Sequence, residues 1–158
     1  MTKADNVVVI LHNVRSAHNV GAIFRTADAA GVGKIYLTGY TPTPTDRFGR
    51  TQSKIAKTAL GAEALSWEAV KNITRVLTRL KEEGYFIVAI EQAPRSIDYK
   101  KIHPKKKTAF VLGNEVRGLS KAILDSADVT AEIPVRGTKE SLNVAVAGGV
   151  ALFRILNV

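Results

Sequence analysis

"VVVILHNVRSAHNVGAIFRTADAAGVGKIYLTG", residues 7–39, sets the architecture. Val7 to Leu11 is an apolar, largely β-branched run, which reads as a buried strand. A helix follows from about Val20 to Ala30, with Ala22, Ile23, Ala27 and Ala30 on one face and Gly31 where a helix ends. "KIYLTG" is a second strand. Strand, helix, strand implies a parallel pair, because parallel strands need a crossover connection. The same segment carries an oddity. Asn13, Asn19 and Arg25 recur six apart around Gly21. Arg25 sits in a small, apolar, buried-looking setting, too far into its helix for capping.

The alternation continues along the chain. "YTPTPTDRFGRTQSK" is a loop rich in Pro, Thr and basic residues, and "KIAKTALGAEALSWE" has room for a short helix. Ala69, Val70, Ile73, Val76, Leu77 and Leu80 predict a helix from Glu68 to Glu83, closed by Gly84. "YFIVAIE" is a strand, "APRSIDYKKIHPKKK" a basic linker and "TAFVL" a buried strand. A short helix from Ser120, the strand "TAEIPV" and a final helix from Ser141 complete the pattern. The fold class is therefore α/β, a mainly parallel sheet flanked by helices. The last helix is apolar nearly all round and tolerates Gly148 and Gly149, which weaken a helix by roughly 1 kcal/mol each relative to Ala. Such a helix is buried on both sides. In a chain this small, the second side predicts a homodimer.

With 158 residues, the chain reads as one domain, long enough to bury a core without disulfides or metals. It has no cysteine, which excludes disulfides, thiolate catalysis and Cys-based zinc sites and suits a reducing cytoplasm. The N-terminal apolar run is too short for a signal peptide, and "SLNVAVAGGVALFRIL" is shorter than the ~20 residues of a membrane span. A soluble, cytoplasmic protein is expected. The formal net charge of +9 favours a polyanionic partner, nucleic acid first.

Three strand exits carry polar, glycine-bearing turns: Asn13, Asn19, Gly21 and Arg25; "LGNEVRGLS" with Gly113, Glu115 and Gly118; and "IPVRGTKESLNV" with Gly137, Ser141 and Asn143. Ligands of open α/β sheets bind outside the carboxyl ends of the strands, so the three turns predict one composite site. Glycines there allow positive φ and close approach to a ligand. Each residue also has a plainer reading: Asn19 and Ser141 as helix caps, Glu115 and Arg117 as a surface charge pair. Phosphate-cradling templates fail. Asp28 and Ile35 break a P-loop around Gly33-Lys34, and Tyr36 breaks a GxGxxG from Gly31. No serine lies in a nucleophile elbow, the three histidines are scattered, and no metal site is expected.

Together the three stretches resemble the three motifs of the SpoU (TrmH-type) branch of the SPOUT methyltransferases. Motif one is matched by Asn13, Asn19, Gly21 and Arg25, followed by "TADAAGV". Motif two is matched by Leu112, Gly113, Glu115, Gly118 and Leu119, and motif three by Ile133, Pro134, Gly137, Ser141, Leu142, Asn143 and Val144. "KTALGAEALSW" is similar to the linker after the family's second strand. The resemblance implies transfer of a methyl group from S-adenosylmethionine to a ribose 2′-hydroxyl of tRNA or rRNA. It also implies a deep trefoil knot in the C-terminal part and a homodimer. It assigns the cofactor to Leu112, Gly113, Ile133, Pro134, Gly137, Ser141 and Leu142. It assigns catalysis to Arg25, supplied across the dimer, with Asn19, Glu115, Ser141 and Asn143 ordering the site. Val135 stands where the family often has Met, and Ala145 where it often has Ser; both read as packing variation.

The chain opens on its first strand, so the expected organisation is a single domain over 1–158 without a separate N-terminal RNA-binding domain. RNA contacts then fall to Arg25, Arg47, Arg50, Lys54 and Lys57, and to the basic linker Lys100, Lys101, Lys105, Lys106 and Lys107. Such contacts supply affinity with little sequence choice. Two rival readings stand beside this one: a non-catalytic RNA-binding protein on the same scaffold, and an RNA base methyltransferase.

Overall fold

The computed structural model describes residues 4–158. Its elements run β1 (Ala4–His12), α1 (Ala17–Ala29), β2 (Val32–Thr38), α2 (Ser53–Ala59), β3 (Trp67–Val70), α3 (Ile73–Glu82) and β4 (Phe86–Ile90), then β5 (Ile97–Asp98), β6 (Thr108–Leu112), α4 (Lys121–Ser126), β7 (Val129–Glu132) and α5 (Val144–Leu156). One sheet holds the strands in the order β3-β2-β1-β6-β4-β7-β5, and every pairing is parallel.

Because side chains alternate across a strand, the central strands feed two cores. Val7, Val9 and Leu11 of β1, with Phe110 and Leu112 of β6, pack on the side of α1 and α5, where Phe24, Leu152 and Ile155 meet them. Val8, Ile10, Ala109 and Val111 point the other way, onto Val76, Leu77 and Leu80 of α3 and Ile123 of α4. The chain leaves β1 toward one edge of the sheet and leaves β6 toward the other. Their adjacent carboxyl ends therefore form a topological switch point, the natural place for a ligand.

The structure departs from the sequence reading at four places. Residues 68–70, expected as the first turn of the 68–83 helix, join Trp67 in edge strand β3 against β2. The helix begins only at Ile73, where Asn72 Oδ1 accepts the N–H of Thr74 at 2.9 Å. Pairing with β2 overrides the helical spacing of Ala69 and Val70. Helix α1 begins at Ala17 with Ser16 as its cap, not at Val20. Helix α5 begins at Val144 with Asn143 as its cap, not at Ser141. The basic linker holds the short strand β5 and a single 3₁₀ turn, and buries Ile102. No helix among the described residues is long and apolar enough to cross a membrane.

Gly21 lies where α1 crosses α2. A Cβ there would overlap Thr58 Oγ1 and the Ile55 carbonyl oxygen. Its role is helix contact, not the approach to a ligand expected from sequence. Gly21→Ala should lower stability by about 1–3 kcal/mol through overpacking, despite the higher helix propensity of alanine. Denaturant titration should show a lower midpoint at an unchanged slope.

Candidate active site

The three polar turns meet at the carboxyl ends of β1, β6 and β7, and one carboxylate joins them. Glu115 Oε2 accepts the N–H of Arg15 at 3.0 Å, and Oε1 accepts that of Ser16 at 2.9 Å. These are N–H groups at the entry to α1, where helices leave donors unsatisfied. Asn19 Nδ2 donates to Glu115 Oε1 at 3.2 Å, and Asn19 Oδ1 accepts from Asn143 Nδ2 at 3.1 Å. Asn143 in turn caps α5, its Oδ1 accepting from Ala145 N at 2.8 Å and Val146 N at 3.3 Å. Asn19 is thus a bridge between turns, not a cap, and Glu115 forms no pair with Arg117. Burial raises the Glu115 pKa, but the N–H donors of Arg15 and Ser16 outweigh it and hold the carboxyl below its ordinary value.

The second turn is built by Asn114. Its Oδ1 accepts from Val116 N at 2.9 Å and Arg117 N at 2.8 Å, and its Nδ2 donates to the Asn13 carbonyl at 2.9 Å. Asn13 itself has φ 54°, a left-handed conformation that asparagine tolerates. Gly118, at φ 62°, is the one motif glycine with a positive φ. Beside this turn, His12 Nδ1 donates to Thr38 Oγ1 at 2.9 Å, since that hydroxyl is spent on the Leu11 carbonyl, and Nε2 accepts from Asn13 Nδ2 at 3.3 Å. Burial lowers the His12 pKa.

A cleft of about 150 Å³ opens between these turns. Leu112, Gly113, Glu115, Ile133, Ser141 and Leu142 line it, as do Glu91, Gln92 and Val135. Pro134 and Gly137 do not line it; both are exposed, and a Cβ on Gly137 would meet nothing. Glu91 had no motif to mark it. It follows β4, and its carboxylate accepts from Gln92 N at 2.9 Å and Leu119 N at 3.0 Å, beside Gly118. Among the described residues, no group of His, Cys, Asp and Glu could hold a metal ion.

Arg25 is not buried. Helical rotation turns Ile23, Phe24 and Ala27 inward and Arg25 outward, where it borders a hollow with Asp28, Leu60 and Gly61 rather than the cleft of its own chain. Arg47, Arg50, Lys54 and Lys57 are all exposed. Lys54 lines a groove of about 1040 Å³ with Arg15, His18, Tyr40 and Arg117, and this groove shares Asn114, Glu115 and Val116 with the cleft. The linker lysines are elsewhere. Lys105 and Lys107 sit at the amino ends of β6 and β4, over the rings of Phe86 and Tyr85. Lys100 pairs with Asp98 at 3.6 Å.

Glu115→Gln should cost about 1–3 kcal/mol, because a charged acceptor of three N–H groups is replaced by a neutral one with a single oxygen. The lowered pKa adds a sign. Above about pH 4.5 the carboxylate contributes stability, which is lost as pH falls from there through the folded-state value, because the unfolded chain takes the proton first. Denaturation curves against pH should show that acid limb shrinking in the variant.

The SpoU rRNA Methylase family model matches residues 6–153. The chain is 34% identical over 151 residues to the 23S rRNA (guanosine-2'-O-)-methyltransferase RlmB of Pseudomonas aeruginosa, covering 95% of this chain and 58% of that protein. It is 35% identical over 156 residues to the tRNA (guanosine(18)-2'-O)-methyltransferase of Aquifex aeolicus, covering 96% and 69%. The AdoMet-bound rRNA methyltransferase from Sinorhizobium meliloti superposes with a TM-score of 0.86 at 30% identity, over 99% of this chain and 58% of that one. The chain thus spans little more than half the length of several proteins it matches. With all three motif turns gathered at one cleft and the family model covering nearly its whole length, the chain belongs to the SpoU methylase family.

Proposed function

We propose that the protein is an S-adenosylmethionine-dependent methyltransferase acting on a ribose 2′-hydroxyl of tRNA or rRNA, as a cytoplasmic homodimer. Relatives named for each RNA class support the substrate. The observation that carries the reading is the charge of the cleft. Among the described residues, its walls hold two carboxylates, Glu91 and Glu115, and no lysine or arginine. A phosphate-bearing cofactor is repelled by such walls; a sulfonium cation is not. Leu112, Ile133 and Leu142 offer apolar faces for a purine, with Gly113 backbone and the Ser141 hydroxyl beside them. Pro134 and Gly137 belong to the reading as residues that shape the loop from β7 to α5. When bound, S-adenosylmethionine supplies a methyl group already activated by its sulfonium.

The protein's own residues orient the nucleophile and manage its proton. Asn19, Glu115 and Asn143 hold the turns in register, and Ser141, exposed at the rim, orders the substrate. Arg25 stays a cation at neutral pH, so it does not serve as a base. It grips the phosphate beside the target ribose and stabilises the charge developing on the 2′-oxygen. The proton leaves to a phosphate oxygen or to water.

Arg25 of one subunit serves the cleft of the other. Support for that arrangement comes from α5, whose Val146, Val150 and Phe153 form an exposed apolar stripe, 52%, 37% and 38% accessible. Thr26, next to Arg25, packs beside Gly149 of the same helix. The reading includes the C-terminal knot. It is supported by the path of the chain, in which 113–119 and 133–143 face each other across the cleft before α5 returns onto β4, β6 and α1.

Labelled S-adenosylmethionine incubated with unmodified tRNA and rRNA should place label in a 2′-O-methyl nucleoside. Arg25→Ala should lower kcat by about 10²–10³-fold with cofactor affinity unchanged. Arg25→Lys should keep the wild-type pH–rate profile; loss of an ionisation there identifies Arg25 as the base. Label in a methylated base identifies a base methyltransferase, and absence of cofactor binding by calorimetry identifies a non-catalytic RNA-binding protein.

A further inference from the structure

Phe48 is 66% exposed at the tip of the loop between β2 and α2. That tip is tightly built. Asp46 Oδ1 accepts the N–H groups of Phe48 at 2.8 Å and Arg50 at 3.0 Å, and Oδ2 accepts from Arg50 Nε at 2.7 Å. Gly49 takes φ 76°, and Thr45 bridges Thr51 across the base of the turn. The sequence thus invests a hydrogen-bonded turn in holding a phenyl ring out in water. Two guanidinium groups lie against the ring, with Arg47 Cζ at 4.8 Å and Arg50 Cζ at 5.0 Å from its centroid. The feet of the loop, Tyr40 and Pro42 on one side and Gln52 on the other, line the groove that runs to Glu115. Tyr40 is fixed there, its hydroxyl accepting from Asn114 Nδ2 at 3.0 Å.

We infer that Phe48, flanked by Arg47 and Arg50, is a stacking platform for an unpaired base of the RNA near the target nucleotide, so that the substrate is a single-stranded or loop segment and not continuous duplex. Any base has a π face, and an aromatic ring beside cations binds base and phosphate together. Paired bases in A-form RNA have both faces covered, and side chains cannot read its narrow major groove. A second copy of this chain is a poor occupant, because two arginines surround the ring on a molecule of net charge +9. The inference rests on the methyltransferase reading for what the bound RNA is used for; the stacking contact itself needs only RNA.

Fluorescence anisotropy with a short single-stranded oligoribonucleotide, and with the duplex of the same sequence, tests it without turnover. Phe48→Ala should weaken the single strand about 5- to 150-fold and leave the duplex unchanged. The slope of log affinity against log salt should not move, because the ring is uncharged, and Phe48→Trp should restore binding. Arg47→Gln should reduce that slope by about 0.7. Equal losses on both RNAs, or none, overturn the inference. A loss accompanied by a smaller oligomer in light scattering also overturns it and makes Phe48 a contact between copies. Calorimetry of wild type with S-adenosylmethionine reports separately on the parent reading: absent cofactor binding refutes that reading while the anisotropy still decides the stacking platform.

Discussion

The Glu115 carboxylate is the knot of hydrogen bonds on which the site depends. It reaches from the turn after β6 to the entry of α1, about a hundred residues away in sequence, and takes the N–H groups of Arg15 and Ser16. Those donors lie at the amino end of α1, the positive end of its dipole, so a carboxylate there gains from hydrogen bond and dipole together. Through Asn19 the same oxygen is coupled to Asn143, the cap of α5. Three turns from distant parts of the chain are thereby held by a single acceptor and two amides. Loss of any member uncouples two of the turns.

Charge is sorted on a fine scale around that point. Excess positive charge covers the molecule as a whole, yet the cleft presents carboxylates from two different strand ends. The groove beside it carries Arg15, Lys54 and Arg117. On the methyltransferase reading this separates the two reactants by sign. A polyanion is drawn along the groove and kept out of the cleft, while a small cation is drawn in. Screening limits such attraction to about 10 Å at moderate salt, so cleft and groove must abut, and they share Asn114, Glu115 and Val116.

Much of this was legible in the sequence because it rests on period and spacing. β-branched runs gave β1 and β6, and the three motif turns sit at the strand ends where alternation put them. What failed has two sources: a partner distant in the chain, and the rotation or cap that sets a helix locally. β3 was hidden because Ala69 and Val70 continue the helical spacing of α3; only pairing with β2 makes them a strand. Arg25 looked buried because its sequence neighbours are apolar, whereas the helical rotation between Phe24 and Ala27 points it outward. Glu91 and Phe48 had no sequence signal. One is an ordinary carboxylate after a strand, the other an ordinary aromatic in a polar loop, and each gains meaning from what the fold sets beside it.

Helix α5 ties these observations together. Its two glycines, costly for a helix, are explained by close packing. A Cβ on Gly148 would press on Leu112 at 2.8 Å, a wall of the cleft, and one on Gly149 would meet Thr26 at 3.3 Å, the residue after Arg25. The same helix exposes Val146, Val150 and Phe153 on the side away from Gly148, in a stripe that Gly149 borders. Cleft wall, arginine-bearing helix and apolar stripe are therefore separated by the width of one helix. If the stripe is covered by a second subunit, α5 is fixed from both sides, and the position of Leu112 relative to Arg25 is fixed with it. Cofactor binding and assembly then act on one rigid element, and any ligand that orders the cleft must favour the dimer by the same free energy with which the dimer favours the ligand.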